Sequence, residues 1–117
     1  MLTSVSPVKV YLAVGVTDLR KAINGLSLLV EGEFGLNPFD GSLFVFCNRR
    51  RNLLKILYYD TNGFCLFLKR LEQGVFRWPM KGDTPLRINR RELNWLLDGL
   101  NLKQPGAHAE ISYSRLY

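Results

Sequence analysis

The decisive stretch runs from Ser42 to Leu71. It reads Ser42-Leu43-Phe44-Val45-Phe46-Cys47, then Asn48-Arg49-Arg50-Arg51-Asn52, then Leu53-Leu54-Lys55-Ile56-Leu57-Tyr58-Tyr59, then Asp60-Thr61-Asn62-Gly63, then Phe64-Cys65-Leu66-Phe67-Leu68-Lys69-Arg70-Leu71. Three runs of β-branched, aromatic and other large apolar residues alternate with two polar connectors, the pattern of consecutive strands. Asn62-Gly63 is a strong hairpin signal, because both residue types tolerate positive φ. Connectors this short imply antiparallel neighbours. Both faces of the strands carry bulk, so one face is expected to pack under a helix. The other calls for cover from a second helix, another chain or a ligand.

Upstream, Val8 to Val14 reads as a strand that Gly15 breaks. Thr17 is placed to cap a helix with Asp18 in its first turn. Leu19, Ile23, Leu26, Leu29 and Val30 then recur at helical spacing, and Gly35 is expected to end the helix. Downstream, Val75-Phe76-Arg77-Trp78 reads as a short fourth strand of the meander, closed by Pro79. A second helix is expected over 90–99, with Asn89 and Glu92 spaced for a capping box. Leu93, Leu96, Leu97 and Leu100 form its stripe, with Trp95 beside it. Residues 103–117 are weakly patterned, with a late strand around Ile111 or a loose tail as alternatives. The expectation is an α+β fold: an antiparallel meander of four to five strands, an N-terminal amphipathic helix packed on it, and a second, C-terminal helix. A chain of 117 residues with 47% hydrophobic and 22% charged residues makes one domain, 1–117, with its core over about 8–100.

No apolar run reaches the roughly 18 residues of a membrane span, and no secretory signal is read at the start. Cys47 and Cys65 lie in apolar runs without a Cys-x-x-Cys, and His108 is the single histidine, which argues against a metal site and for reduced thiols in a cytoplasmic protein. No phosphate-binding Gly-rich loop occurs. Asp18, Asp60 and Asp83 each have a local explanation as helix start, hairpin turn and loop. No catalytic constellation, metal or cofactor is therefore expected.

Charge is the distinctive feature. Sixteen Lys and Arg against ten Asp and Glu give a net +6. The stretch up to Asn48 carries three basic and four acidic residues, and the stretch after Arg91 two and three. Between Arg49 and Arg91 there are eleven basic and three acidic residues, a local +8. Such a block attracts polyanions through their phosphates. Arg49, Arg50 and Arg51 sit at an expected hairpin tip, where arginine suits bidentate phosphate contact. Lys55, Lys69, Arg70 and Arg77 follow on the strands. Tyr58, Tyr59, Phe67, Phe76 and Trp78 interleave with them, as stacking platforms for bases or as core. Arg90 and Arg91 open the second helix, where its dipole disfavours them. Trp78 and Trp95 are candidate anchors of a protein interface.

The ordered set of Val10-Tyr11-Leu12-Ala13, Thr17-Asp18-Leu19-Arg20-Lys21, Asn24-Gly25-Leu26, Leu43-Phe44-Val45-Phe46, Asn48-Arg49-Arg50-Arg51, Leu54-Lys55-Ile56-Leu57-Tyr58, Gly63-Phe64, Lys69-Arg70-Leu71-Glu72 and Phe76-Arg77-Trp78-Pro79 resembles the TnpB-type accessory proteins of insertion sequence family sixty-six. The resemblance covers about residues 8–100. It implies a non-catalytic bacterial protein that assists transposition beside a larger transposase, which holds the strand-transfer site. Two modes of action follow as expectations. One is DNA binding at element ends or target through the basic residues named above. The other is an adaptor docking on the transposase or another accessory protein. Self-association, covering an open sheet face with a second copy, is a third.

Overall fold

The computed structural model describes residues 8–102, so the expectations for 103–117 and for His108 lie outside the described residues. Seven elements occur in the order β1 (Val10–Leu12), α1 (Ile23–Gly32), β2 (Leu43–Cys47), β3 (Leu53–Asp60), β4 (Gly63–Arg70), β5 (Leu86–Ile88) and α2 (Arg90–Leu97). They form one five-stranded sheet in the spatial order β4-β3-β2-β1-β5. The strands β2, β3 and β4 are the expected antiparallel meander, with Val45 opposite Ile56, Leu57 opposite Leu66 and Asp60 opposite Gly63.

The sheet is mixed, which corrects the purely antiparallel expectation. Strand β1 runs parallel to β2, with Tyr11 beside Phe44, and antiparallel to β5, with Tyr11 beside Arg87. The cause is connection length. Short turns force neighbours to reverse, but the 30 residues between Leu12 and Leu43 include a helix, and that crossover returns β2 in the direction of β1. The first helix is thus second in chain order, inside a β-α-β unit, and does not stand N-terminal to a finished meander.

Helix α1 also starts later than expected. Thr17 does not cap it: the Thr17 N–H donates to the Cys47 carbonyl at 2.8 Å, which continues the line of β1 past its end. The Asp18 carboxylate accepts from the Arg20 N–H at 3.0 Å, a local turn that competes with helix. The helix begins at Ile23 after an uncapped Ala22. Its end agrees with the sequence: Gly35 takes φ +65°, and the Leu36 N–H returns to the Val30 carbonyl at 3.1 Å. Helix α2 has the expected capping box, with the Asn89 side chain accepting from the Glu92 N–H at 2.8 Å and Glu92 accepting from the Asn89 N–H at 2.9 Å.

The expected strand at Val75 to Trp78 is absent, and a strand at Leu86 to Ile88 takes its place at the sheet edge beside β1. The alternation that suggested a strand is present in burial, since Phe76 and Trp78 are buried while Val75 and Arg77 are exposed. What it lacks is a ladder. The Phe76 N–H donates to the Arg51 carbonyl at 2.7 Å and the Trp78 N–H to the Phe76 carbonyl, so the segment is fastened to the sheet end by isolated bonds and not by a run of paired residues.

Each face of the sheet has its own core. Leu26 and Val30 of α1 lie with Phe44, Phe46 and Leu57. Leu93 and Leu96 of α2, together with Phe76 and Trp78, lie with Val10, Leu12, Val45, Leu54 and Ile56 on the other side. Cover for the second face therefore comes from α2 and the segment after β4. The fold is three-layered, and the open face that motivated self-association is closed.

Candidate nucleic-acid interface

Asn48 builds the arginine turn. Its side-chain oxygen accepts from the N–H groups of Asn52 and Leu53, both at 3.0 Å, and its side-chain NH2 donates to the Asn52 side-chain oxygen at 2.8 Å. Its backbone N–H donates to the Leu53 carbonyl at 3.1 Å, closing the turn across the β2–β3 hairpin. Arg51 takes φ +59°, a left-handed conformation that L-residues other than Asn and Asp visit rarely. Its N–H is held by the Asn48 carbonyl and its own carbonyl by Phe76. The backbone is thus fixed, while Arg49, Arg50 and Arg51 are all exposed and none has an acidic partner among the described residues.

The loop after β1 lies beside this turn. Lys55, on the α1 face of β3, donates its ammonium to the carbonyls of Leu19 at 2.8 Å and Lys21 at 3.1 Å. That contact, with the Thr17–Cys47 bond, holds Arg20 and Lys21 at the same end of the sheet as the arginine turn. An open groove of about 660 Å3 runs between them, lined by Thr17, Asp18, Arg20, Asn48, Arg49 and Arg50 among others. Asp18 and Arg20 form a bidentate pair, with contacts of 2.7 and 2.9 Å, and the guanidinium holds the Asp18 carboxyl well below the usual carboxylate range. Both side chains are exposed, so this pair orders the loop more than it stabilises the fold.

Lys69 sits on the opposite face from Lys55 and donates to the Leu97 carbonyl at 2.7 Å, where a cation complements the C-terminal end of α2. Arg70 meets Glu72 at 3.4 Å, and both are exposed. Arg77 and Lys81 lie exposed on the segment that follows. Three hydrogen bonds tie that segment to the β1 loop. The Gly15 N–H donates to the Pro79 carbonyl at 2.9 Å, and the Trp78 indole N–H donates to the carbonyls of Ala13 and Gly15 at 3.0 and 2.9 Å.

Strand register sorts these residues into two ends. The carboxyl ends of β1, β2 and β4 and the amino ends of β3 and β5 coincide. That end carries Arg20, Lys21, Arg49, Arg50, Arg51, Lys55, Lys69, Arg70, Arg77 and Lys81, against Asp18, Glu72, Asp83 and Asp98, a net +6 from ten basic and four acidic residues. The remainder of the described chain carries Lys9, Arg87, Arg90 and Arg91 against Glu31, Glu33, Asp40, Asp60 and Glu92, a net −1. All seven expected contact residues fall at the basic end, five of them exposed, with the ammoniums of Lys55 and Lys69 committed to backbone carbonyls. Arg20 and Lys21 were missed by a reading along the chain, because they precede the basic block and join it only through register. Arg87 belongs to the block in sequence but lies mid-strand, its guanidinium 5.6 Å from the Tyr11 ring.

Of the two readings left open for the five interleaved aromatics, core holds for three. Tyr58, Phe76 and Trp78 are buried, so they are core and not stacking platforms. Trp78 and Trp95, the candidate interface anchors, are 4% and 2% exposed. Their size suits either role, and a sequence does not show which indole the chain folds over. Cys47 is buried at the end of β2, where loss of hydration pushes its thiol up to about 12. Cys65 is also a free thiol, and no group of three His, Cys, Asp or Glu is placed to hold a metal ion among the described residues. No helix among them is long and apolar enough to cross a membrane.

Residues 8–107 match the model of the IS66 Orf2-like protein family. An uncharacterised protein of Sinorhizobium fredii (strain NBRC 101917 / NGR234), y4hO, is 42% identical over 105 residues, covering 90% of this chain and 91% of the relative. A second from the same organism, y4jC, is 33% identical over 93 residues, covering 80% of each. No solved structure matches. Given a match over most of its length to the family model and to relatives at these identities, this chain belongs to the IS66 Orf2-like family.

Proposed function

We propose that the chain is a non-catalytic accessory protein of transposition, acting in the bacterial cytoplasm beside the element's transposase, and that it binds DNA through the basic end of its sheet. The observation that supports this is the segregation of charge: +6 at one end, with exposed guanidiniums on a turn whose backbone is separately locked. A chain that needed charge only for solubility has no reason to concentrate it. Arg49, Arg50, Arg51, Arg70 and Arg77 grip phosphates, joined by Arg20 and Lys21 across the groove, while Lys55 and Lys69 add positive charge behind them with their ammoniums held by backbone carbonyls. Contacts of this kind fix position on a duplex and carry no sequence information. Affinity for element ends and for unrelated duplex should therefore be similar. The adaptor reading has lost its named anchors, because both tryptophans lie in the core.

The test is a gel shift of the full chain on terminal-repeat and random duplex over a salt series. Affinity should fall with a log–log slope of about −0.9 per phosphate contact. Absence of binding to any duplex at about 50 mM salt, where such contacts are strongest, overturns the reading.

A further inference from the structure

The two edges of the sheet are unlike. The edge formed by β5 is three residues long and carries Arg87. The edge formed by β4 is eight residues long, Gly63–Arg70, in unbroken register with β3 and with no charge before Lys69. No strand pairs with its outer side among the described residues. Natural edges are protected by shortness, proline, bulges or charges. Over 63–68, β4 has none of these.

The direction of its backbone groups follows from one bond. The Leu71 N–H donates to the Asn52 carbonyl on the β3 side at 2.8 Å. With a period of two, the odd positions of β4 face β3, and the N–H and C=O groups of Phe64, Leu66, Leu68 and Arg70 face outward. Those same residues share the α1 side of the sheet, where Phe64 and Leu66 pack on the α1 core. Leu68, at 54%, is among the most exposed large apolar residues of the chain. Phe39, 55% exposed, packs edge-on against Tyr59 and beside Phe64, at ring separations of 5.2 and 5.1 Å. An apolar strip therefore runs along an unpaired strand.

We infer that β4 is a self-pairing edge, through which two copies of this chain join their sheets antiparallel about a two-fold axis at Leu66. The argument for a second copy as the occupant is self-complementarity. A two-fold at Leu66 sets Leu66 opposite itself and Phe64 opposite Leu68 of the other copy, all with outward backbone groups, so the ladder closes. Cys65 falls opposite Phe67 on the α2 side. Arg70 falls opposite Asn62 of the other copy, and Lys69 opposite Gly63. No like charges face each other, and Leu68 gains an aromatic neighbour of the kind that stabilises cross-strand pairs. The interface is isologous, so it closes at two chains and does not propagate. Strand reversal points the two basic ends away from each other, so pairing does not set one +6 surface against the other. The inference stands whatever those surfaces bind.

The experiment is sedimentation of the full chain from about 1 to 100 μM, a range that spans micromolar affinity. It is paired with oxidative cross-linking of Leu66→Cys in a Cys65→Ser background. The expected result is a species of twice the 13.5 kDa chain mass. Leu66→Cys should cross-link readily, because directly opposed residues lie about 5.5 Å apart between Cα atoms, within disulfide reach. Arg70→Cys should not. Leu68→Lys, at an exposed position that leaves the core intact, should return the monomer with unchanged circular dichroism. A wild-type chain that stays monomeric overturns the proposal, and if the Leu66 and Leu68 amides are then protected from hydrogen exchange, another segment of the chain covers the edge. A dimer that survives Leu68→Lys and fails to cross-link through Leu66→Cys also overturns it, placing the contact elsewhere.

Discussion

The two ends of this sheet are made by the same strands and differ in almost everything else. One end gathers ten basic residues, seven of them on three connecting segments that are bonded to each other and three on the ends of β3 and β4. The other holds the tight Asp60-Thr61-Asn62-Gly63 hairpin, the amino end of α2 and a small net negative charge. All five strands end or begin at the basic pole, and the three segments that connect them there contact one another through backbone bonds, so its charges are mounted on a cross-braced frame. Preorganisation matters because each long side chain ordered on binding costs about 0.5–1.5 kcal/mol, and a fixed backbone limits that cost to the side chains alone.

The frame depends most on a residue that touches no ligand. Trp78 fills the α2-side core and its indole N–H joins the carbonyls of Ala13 and Gly15 to the segment carrying Arg77. Trp78→Ala should cost about 3–5 kcal/mol of unfolding free energy by denaturant titration, the range for deleting a buried large aromatic. Trp78→Phe keeps most of the packing and loses the donor, leaving two carbonyls short of a partner, and should cost about 1–3 kcal/mol. If Trp78→Ala costs under about 1 kcal/mol, the indole is not the brace described here.

The comparison of ends can be broken directly by removing the same charge from each. Arg49→Ala with Arg50→Ala takes two cations from the basic pole, and Lys9→Ala with Arg87→Ala takes two from elsewhere. The first pair should reduce the steepness of the salt dependence of duplex binding by about 1.8 and weaken binding about a hundredfold near 0.1 M salt. The second should change both little. Equal effects from the two pairs would mean that only total charge matters and that the segregation is incidental.

Asn48→Ala tests whether the turn must be locked. It removes hydrogen bonds to two backbone N–H groups and to the Asn52 side chain at a half-buried position. A cost of about 1–3 kcal/mol is expected, because those partners are left partly unsatisfied away from water. Duplex affinity should also fall although no cation is lost, while the salt slope stays close to the wild-type value.

What was legible in the sequence follows from range. The β2–β3–β4 meander, the Gly35 stop and the α2 capping box rest on neighbours a few residues apart, and each is present. The misreadings all involve partners distant in sequence. Thr17 looks like a helix cap until Cys47, 30 residues on, takes its N–H. Phe76 and Trp78 alternate like a strand but bond to Arg51 and to the loop after β1. Strand β5 has three residues, too few for a period to show, and exists because β1 offers a free edge. The site divides in the same way. The arginine turn is a local run and was found, whereas Arg20 and Lys21 join it only once β1 and β2 are seen to be parallel. The loss of Trp78 and Trp95 as surface anchors has the same origin, since burial is decided by the whole chain.

The smallest expected effect is the most discriminating, because it separates the turn's shape from its charge. Arg51 holds φ +59°, which costs an L-residue roughly 1–2 kcal/mol against a right-handed conformation. Glycine pays no such penalty but loses more chain entropy on folding, about 0.5–1 kcal/mol. Arg51→Gly should therefore leave the fold unchanged or more stable by up to about 1 kcal/mol, a rise in Tm of at most several degrees for a domain of this size. The backbone bonds to Asn48 and Phe76 need no side chain and should persist. Duplex affinity should nonetheless fall about tenfold near 0.1 M salt, the share of one phosphate contact. A more stable protein that binds DNA less well would show that the arginine is held in a strained conformation for what its guanidinium contacts. A more stable protein with unchanged affinity would remove Arg51 from the interface and leave Arg49 and Arg50 as its centre.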